Sequence, residues 1–399
     1  MELEITHLAA GGDGLARAGD GRVVLCEGAL PGELVDAEVV AERRDFLRAR
    51  TAAVLRPSPD RREPVCAHVA EGCGGCTWAF VRAGAPEASL KAAIVADALR
   101  RIARLPDLPI AVAPTGVPDV AYRTTARLAV APDGRPVYRR RHGHEEVAVA
   151  SCRVAHPLLE ELIVDGRFPG ARTVMLRVSA ATGERVACPD RPVAHPAVPA
   201  GTVVARRGDP RAQVHEDVAG RRWRVSADSF FQSGPKAADA LVRAVTATAG
   251  SDLRPGVHIV DLYAGVGVLG GAVASGCEAA VLVAVEAGRA AAADAAHNLA
   301  DLEARVLVGE VAAAGPRMGA ATDVVIADPA RSGLGPTAAA TIAAIRAPTV
   351  VLVSCDPASL ARDATLLGGH GYRLDRVEVV DTFPSTFHVE TVSRFTTAR

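Results

Sequence analysis

A cysteine at the end of an apolar run is the residue of this chain best placed to do chemistry. Val350–Val353 are apolar, and Ser354, Cys355, Asp356 and Pro357 follow them. The run predicts a buried β-strand with the Cys355 thiol at its carboxyl end. In doubly wound α/β sheets, ligands bind at that end of the strands. The alternative is a cysteine packed as a small hydrophobe, so the neighbouring motifs must decide between the two.

A glycine turn and two carboxylates indicate a nucleoside cofactor. Asp261-Leu-Tyr-Ala-Gly265 follows one predicted strand, and its glycine would let the backbone approach a ligand closely. Glu286 ends the next strand, where a carboxylate can accept hydrogen bonds from both ribose hydroxyls. Asp328 ends a later strand and could hold the cofactor or a base edge, or cap a helix. The turn lacks the full dinucleotide fingerprint, so S-adenosylmethionine fits better than a nicotinamide.

The elements that must position these residues are parallel βαβ units. After Val225, predicted strands alternate with Ala-rich helical stretches, which is typical of a parallel sheet with helices on both faces. The predicted strands begin at His258, Val281, Arg305, Asp323 and Val350, with a final pair near Arg376 and Val389. The first five end on or near polar or glycine residues that could line one crevice. We therefore expect a Rossmann-like α/β domain over residues 226–399.

The preceding residues predict two smaller units. Residues 1–57 alternate short apolar runs with Gly and Pro, which predicts a small OB-like β-barrel of a kind that often binds single-stranded nucleic acid. A proline-rich linker over residues 56–64 ends it. Residues 58–225 form the predicted central domain, with a helix from about Pro86 to Leu105 and an irregular β-rich part after Tyr122.

Cysteine spacing points to a possible metal centre in the central domain. Cys66, Cys73 and Cys76 lie within eleven residues, and Cys152 is a possible fourth ligand. Four thiolates suit zinc or an iron-sulfur cluster, and ligand count alone does not decide between them. The cysteines without such neighbours are expected to be structural, namely Cys26, Cys188 and Cys277.

Composition excludes several classes of protein. A chain of 399 residues with 49% hydrophobic residues can bury a substantial core in two or three domains. It has no apolar run of about 18 residues and no signal-peptide pattern, so we expect a cytoplasmic protein without membrane spans. Net charge is −1, so any attraction to nucleic acid must be local. Arginines cluster at 123–141 and 206–224, either to hold phosphates or as solvated faces.

Over nearly the whole chain, these motifs resemble the RNA uracil-5-methyltransferase family. The matching segments are Leu30-Pro-Gly-Glu33, the cysteine cluster, Phe230-Phe-Gln232, Asp261-Leu-Tyr-Ala-Gly265, Asp328-Pro-Ala-Arg331, Ser354-Cys355 and Asp381-Thr-Phe-Pro-Ser-Thr-Phe-His388-Val-Glu390. The resemblance implies a class I, S-adenosylmethionine-dependent enzyme with an N-terminal TRAM-type barrel. It also implies the site residues, which are Cys355 as nucleophile, Glu390 as general base, and Gln232, Tyr263, Gly265, Glu286 and Asp328 around the cofactor. For Cys66, Cys73, Cys76 and Cys152 it favours a [4Fe-4S] cluster over zinc.

The implied chemistry explains why a thiol and a carboxylate are needed. Addition of the Cys355 thiolate to uracil C6 makes C5 nucleophilic enough to attack an electrophilic methyl group. A base must then remove the C5 proton so that the thiol can leave, and Glu390 is the candidate. Because the thiolate is the reactive form, we expect the surroundings of Cys355 to lower its pKa.

Several positions depart from the family pattern. One residue more separates Cys66 from Cys73 than is usual, and Asp356, Leu352 and Ser385 replace the usual Asn, Tyr and a larger polar residue. An ionised Asp356 near the thiol would oppose thiolate formation, which would favour a non-catalytic RNA-binding protein.

Two function classes besides an RNA uracil-5-methyltransferase therefore stay open. One is the non-catalytic RNA-binding protein, and the other is a small-molecule methyltransferase, which would leave the barrel and the arginines unexplained. The leading prediction is methylation of a uridine that is flipped out of folded ribosomal or transfer RNA. Nothing in the sequence demands more than a monomer.

Overall fold

A computed structural model of the protein describes residues 1–105, 108–141, 143, 145–318 and 321–397. Within these ranges the chain forms two six-stranded sheets, an eight-stranded sheet and a two-stranded hairpin. Separate apolar clusters pack against the first sheet, against the second sheet and on the two faces of the third. No helix in the described part of the chain is both long enough and apolar enough to cross a bilayer.

The N-terminal sheet packs around a small apolar core. Its strands are β1 (Glu2–Glu4), β2 (His7–Leu8), β3 (Gly14–Arg17), β4 (Val23–Glu27), β5 (Leu34–Glu42) and β6 (Phe46–Arg56). They pair in the order β1-β5-β6-β4-β3-β2. Buried and half-buried side chains alternate along β4 because one face of the strand packs on the core. Leu3, Val24 and Val35 lie in that core.

The next segment contains the cysteines and one helix. A short 3₁₀ turn covers Ala67–Val69, and helix α1 covers Ala85–Ala98 with Pro86 in its first turn. The helix continues as a π-helical turn over Leu99–Ala103 and ends at Arg104, which has a left-handed backbone. The predicted helix is confirmed, although its last turn is not α-helical.

Strand β7 (Ile110–Ala113) comes next along the chain, but it belongs to the eight-stranded sheet. The central sheet follows it in sequence. The central elements are β8 (Thr125–Val130), β9 (Pro136–Arg139), β10 (Glu146–Val147), α2 (Pro157–Val164), β11 (Thr173–Val178), β12 (Arg185–Pro189) and β13 (Thr202–Val204). The strands pair in the order β10-β9-β8-β11-β12-β13. The hairpin of β14 (Gln213–Val218) and β15 (Arg221–Ser226) follows them.

The C-terminal domain is the α/β fold that the sequence predicts. Its elements are α3 (Pro235–Ala249), β16 (His258–Leu262), α4 (Val268–Ser275), β17 (Val281–Glu286), α5 (Arg289–Asn298), β18 (Ala304–Val308), α6 (Val311–Ala314), β19 (Val324–Ala327), α7 (Gly335–Ile345), β20 (Thr349–Ser354), α8 (Pro357–Gly369), β21 (Tyr372–Val380) and β22 (Thr391–Thr397). The strand order is β18-β17-β16-β19-β20-β22-β21-β7. β16 to β20 are parallel. β16, β19 and β20 are almost entirely buried between helices, so their sequences are almost continuously apolar, whereas the edge strand β18 is partly exposed.

Two features of this sheet differ from the sequence prediction. β7 comes from the segment assigned to the central domain, yet it pairs in parallel with β21 at the edge of the third sheet. Val389 and Glu390 precede β22 and end the loop over residues 381–390, which we call the 381–390 loop. β22 runs antiparallel to β20, and Thr391 lies opposite Ser354. The start of β22 therefore lies beside the end of β20.

The N-terminal sheet contacts the 381–390 loop directly. Trp78 Nε1 donates a hydrogen bond to the Gly12 carbonyl at 3.1 Å, and the Trp78 amide donates to the Ser385 carbonyl at 2.9 Å. A side chain at Gly12 would overlap Phe387 and would lie 2.8 Å from Trp78 Nε1. Glycine at this position therefore permits the close approach of the two units.

Substitution of Gly12 by alanine should destabilise the protein through this contact. The position has a left-handed backbone with φ +80°, which costs a non-glycine residue about 1–2 kcal/mol. Overlap with Phe387 should add about 1–3 kcal/mol because a packed interface accommodates extra atoms poorly. The free energy of unfolding, measured in urea, checks the sum.

Gly21→Ala is the matched control for this variant. Gly21 has φ +87° and nothing within 4 Å of an added Cβ. It should therefore incur the backbone cost without the overlap. Equal losses of stability in the two variants would contradict the packing argument.

Candidate active site

A cavity lies at the carboxyl ends of β16 and β19, where the strand order of the parallel sheet reverses. Its empty volume, which includes space open to solvent, is about 450 Å³. Four of the predicted cofactor residues line it, namely Gln232, Tyr263, Gly265 and Asp328. Phe230 and Phe231 add two aromatic rings. Four of the five cofactor residues expected from the sequence therefore lie at this one cavity.

The turn after β16 gives the cavity its backbone wall. Tyr263 and Gly265 have positive φ angles of 61° and 57°. An added Cβ at Gly265 would meet nothing within 4 Å, so this wall opens into free space. Glu286 does not line the cavity. Its carboxylate accepts hydrogen bonds from the amides of Gly265 at 2.9 Å and Gly288 at 2.6 Å, which fixes the turn from behind.

Asp261 is a lining residue to which the sequence interpretation gave no role. Its Oδ2 accepts a hydrogen bond from the Gly270 amide at 2.9 Å, and its buried Oδ1 has no partner. Burial raises the pKa of Asp261 to about 7, although the Gly270 hydrogen bond lowers it. The sequence feature that could have indicated a role for Asp261 is its position at the start of the glycine turn.

A second buried network holds the segment that leads to Phe230 and Gln232. The Asp294 carboxylate accepts hydrogen bonds from the Ser226 amide at 2.8 Å and from the Ser229 hydroxyl at 2.7 Å. The buried Arg177 guanidinium donates to the carbonyls of the same two residues at 2.6 and 2.7 Å. The turn before the cofactor cavity is therefore fixed from two sides.

Cys355 lies at the end of β20, as predicted, and Asp356 begins the next helix. The Asp356 carboxylate accepts a hydrogen bond from the Ser359 amide at 2.7 Å and caps α8. This is an ordinary N-cap arrangement. Asp356 is not among the groups that shift the pKa of the Cys355 thiol, so the concern that it opposes thiolate formation finds no support.

The expected lowering of the thiol pKa is wrong for this structure. Burial, and then the carboxylates of Glu390 and Asp328, raise the pKa of Cys355 to about 11, whereas Arg331 lowers it. Burial also raises the pKa of Glu390 well above its usual range. Burial raises the pKa of Asp328 to about 7. The sequence showed the adjacent aspartate but not the two carboxyl groups that the fold brings to the thiol.

Arg331 and His388 complete the polar groups at this end of the sheet. An Arg331 guanidinium nitrogen lies 3.4 Å from His388 Nδ1. Burial, and then the neighbouring cations, of which Arg331 is the first, lower the pKa of His388 to about 4. The imidazole is therefore neutral at pH 7. Both residues stand in the quoted motifs, but their pairing could not be derived from the sequence.

The four cysteines of the predicted metal centre occupy one region without forming a ligand set. Cys73 and Cys76 pack against the apolar core that contains Cys152, and Cys66 and Cys76 line one small cavity. Cys152 Sγ lies 3.2 Å from the Tyr138 hydroxyl oxygen. In the residues that the structure describes, no three His, Cys, Asp or Glu side chains come close enough to hold a metal ion. The geometry therefore does not support the predicted metal centre.

Most arginines of the two predicted clusters have acidic partners. Arg221 pairs with Asp301 at 2.7 Å in the second cluster, and Arg141 pairs with Asp13 at 2.9 Å in the first. Arg141 also lies over the Phe387 ring, 5.3 Å from its centroid. These arginines join parts of the fold, so the clusters do not form one free basic face.

Comparisons with known proteins agree with this architecture. The family model of the TRAM domain matches residues 1–52. An uncharacterized RNA methyltransferase from Streptomyces coelicolor is 36% identical over 98% of this chain and 92% of its own length. The chain belongs to this family of RNA methyltransferases. The family resemblance that the motifs indicated is thereby confirmed.

Other relatives of this RNA methyltransferase are consistent with that membership. An uncharacterized RNA methyltransferase from Corynebacterium glutamicum is 30% identical over 99% of this chain and 96% of its own length. The Pyrococcus abyssi tRNA (uracil-54, C5)-methyltransferase, solved with S-adenosyl-L-homocysteine, superposes with a TM-score of 0.73. It is 22% identical and the match covers 99% of this chain and 100% of that one, so it shows a shared fold.

The raised thiol pKa gives a direct prediction for the free RNA methyltransferase. Alkylation of Cys355 by iodoacetamide should become faster with pH by nearly tenfold per unit between about pH 7 and 10, because only the thiolate reacts. Quantitative peptide mass spectrometry can follow this cysteine separately from the others. In Arg331→Gln the midpoint should move to higher pH because a favourable positive charge is lost. A rate that is already constant above pH 7 would contradict the raised pKa.

Proposed function

We propose that this RNA methyltransferase transfers a methyl group from S-adenosylmethionine to C5 of a uridine in RNA through a covalent adduct with Cys355. The observation that carries the proposal is that the end of β20 lies beside the start of β22. Cys355 follows Ser354, and Glu390 precedes Thr391, the residue opposite Ser354 across the β20-β22 pair. A thiol and a buried carboxyl group therefore meet beside the cofactor cavity.

The composition of the cavity fits the proposed cofactor. Its aromatic rings suit an adenine, and the carboxyl groups of Asp261 and Asp328 suit a ligand that carries positive charge. The open wall at Gly265 leaves room for the ligand against the backbone. When bound, S-adenosylmethionine supplies an electrophilic methyl group on a sulfonium.

Two protein residues then act in turn. Cys355 adds to the base, and Glu390 removes a proton so that Cys355 can leave. The Cys355 thiolate forms a bond to uracil C6, and the electron pair that moves to C5 takes up the methyl group while S-adenosylhomocysteine leaves. Glu390 removes the proton from C5, and the C6–S bond breaks to restore the thiolate. A raised pKa makes the Glu390 carboxylate a stronger base for that proton.

Arg331 is proposed to assist thiolate formation. Its guanidinium is the positive group that favours the ionised form of Cys355, against the two carboxyl groups that disfavour it. Deprotonation therefore needs either high pH or a base that accepts the thiol proton. Asp328 is the candidate close to the sulfur, because Glu390 must stay unprotonated in order to take the C5 proton later.

We propose that RNA contacts come from several parts of the chain. Residues 1–57 would act as the RNA-binding barrel, residues 58–225 as a central domain and residues 226–399 as the methyltransferase domain. This division follows the sequence and is supported by the TRAM match. The non-catalytic alternative rested on Asp356, which caps α8. A small-molecule methyltransferase would leave the barrel without a role.

Methyl transfer to RNA should depend on both proposed catalytic residues. With labelled S-adenosylmethionine and an RNA transcript that lacks 5-methyluridine, the wild-type protein should form 5-methyluridine. Cys355→Ala should form none, because no C6 adduct is made. Glu390→Gln should methylate the base but stay bound to it, because proton removal at C5 is slowed by about 100-fold or more. Denaturing gel electrophoresis separates the adduct from free RNA.

A fluorinated RNA provides the control for covalent chemistry. RNA that contains 5-fluorouridine has no removable proton at C5, so wild-type protein should remain joined to it after methyl transfer. Cys277→Ala, which lies outside the cavity, should trap the RNA as wild type does. Activity of Cys355→Ala equal to wild type would remove this thiol from the proposal.

We further propose that Cys66, Cys73, Cys76 and Cys152 hold a [4Fe-4S] cluster. The support is their thiol chemistry and their shared apolar surroundings, where burial raises the pKa of Cys73 and Cys76 while no metal is bound. Metal ligation requires thiolates and releases these protons. Among the described residues these thiols are not within ligating distance of one another, so binding would require the cysteine segment to move.

Iron analysis checks this second proposal independently of activity. Protein purified without oxygen should carry about four iron and four sulfide ions per chain, and Cys73→Ser should lose them. Cys188→Ser is the control, because Cys188 is buried in a different cluster. Folded protein without iron would show the cluster prediction to be wrong, and bound zinc would identify the other metal that four thiolates accept.

A further inference from the structure

A buried ion triad joins helix α1 to the 381–390 loop. Lys91 Nζ lies 2.7 Å from Asp381 Oδ1 and 2.9 Å from Glu87 Oε1, and it donates a hydrogen bond to the Phe383 carbonyl at 3.2 Å. The Glu87 carboxylate accepts a hydrogen bond from the Ser385 amide at 3.1 Å. Lys91 and Glu87 have no exposed surface. One turn of α1 therefore binds the loop through charge and through backbone hydrogen bonds.

The residue type at position 91 is unusual for this chain. Of its 45 basic residues, only Lys91 and Lys236 are lysine, and the rest are arginine. A compact ammonium can lie between two carboxylates in a closed space, whereas a planar guanidinium is larger and has five fixed donors. A buried cation also costs desolvation energy that only close partners offset. The triad therefore has a geometric requirement that arginine does not meet.

The rest of the loop is held in the same way. Four successive carbonyl groups accept hydrogen bonds from four different parts of the chain. The donors are Ser233 Oγ to Thr382 at 2.7 Å, Lys91 Nζ to Phe383 at 3.2 Å, the Tyr122 hydroxyl to Pro384 at 3.1 Å and the Trp78 amide to Ser385 at 2.9 Å. Lys91 is the one charged donor among these four.

The triad is connected to the proposed base through the strand ends. Asp381 directly follows Val380, the last residue of β21, and the Val380 amide donates a hydrogen bond to the Glu390 carbonyl at 2.9 Å. The two ends of the loop are thus adjacent, one fixed by Lys91 and the other carrying Glu390. Ser385, in the middle, has a left-handed backbone with φ 64°, a conformation that needs support from its surroundings.

We infer that Lys91 is a positioning residue for the proton-removal step, acting through Asp381 and the 381–390 loop on Glu390. This inference rests on the proposed role of Glu390 as the base for the C5 proton. Loss of the ammonium leaves two buried carboxylates without their shared cation, so the loop must move to let water reach them. Addition of the Cys355 thiol, which is carried by β20, should be less affected than release of the product.

The test separates two steps in one single-turnover assay with labelled S-adenosylmethionine and RNA. The first readout is the label in the covalent protein–RNA complex, and the second is the label in free RNA. In Lys91→Met, formation of the labelled complex should change by less than about threefold, while its release should slow by about 10-fold to 100-fold. Asp381→Asn keeps a hydrogen-bond acceptor for Lys91 and should show the same pattern with a smaller delay.

Two variants serve as controls for general loss of stability. Arg394→Met removes the 2.6 Å ion pair with Asp252 from the middle of β22. It should lower the unfolding temperature without delaying release. Glu87→Gln keeps Lys91 and an acceptor for the Ser385 amide, so its release rate should stay within about threefold of wild type. If Lys91→Met does not fold, the comparison of Asp381→Asn with Arg394→Met decides.

Glu390→Gln in the same assay distinguishes the two levels of the argument. If Glu390→Gln forms no persistent complex, the proposed base is wrong and the positioning role of Lys91 falls with it. If Glu390→Gln accumulates the complex but Lys91→Met and Asp381→Asn release product as wild type does, only the inference about Lys91 is overturned. Equal slowing of both steps in these two variants would also overturn it.

Discussion

The antiparallel pairing of β22 with β20 is the constraint on which the candidate active site depends. It inserts a strand of opposite direction beside the last parallel strand, so the start of one strand meets the end of the other. Cys355 and Glu390 are distant in sequence and come together for this reason alone. A parallel β22 would put its first residue at the far end of the sheet. The rest of the site, including the cofactor cavity at β16 and β19, is arranged around this junction.

The electrostatics of the junction are unfavourable to a resting thiolate. Two carboxyl groups and burial favour the neutral thiol, and one arginine favours the ionised form. The same burial raises the proton affinity of Glu390. In the proposed reaction, the positive charge of a bound sulfonium cofactor would favour the thiolate form of Cys355.

Local patterns were sufficient to predict the fold class and four residues of the cavity. The apolar run at Val350, the glycine turn at Gly265 and the alternation after Val225 depend only on neighbours in sequence, so they could be read directly. The pKa of Cys355 could not be predicted, because it depends on carboxyl groups brought in by other strands. The same holds for β7, which pairs with a strand far along the chain. The cysteine spacing indicated a shared region for the thiols but not the distances between them.

The hydrogen-bonded carbonyl groups of residues 382–385 connect the 381–390 loop to several separate parts of the chain. The donors come from four places in the chain. Trp78 lies in the cysteine segment, Lys91 in α1, Tyr122 before β8 and Ser233 before α3. Each of these parts must already be docked for the loop to have one conformation. In the proposed reaction this loop carries the base, so a partly folded or nicked chain would keep the Cys355 thiol without it. On that proposal, the reaction requires the assembled chain.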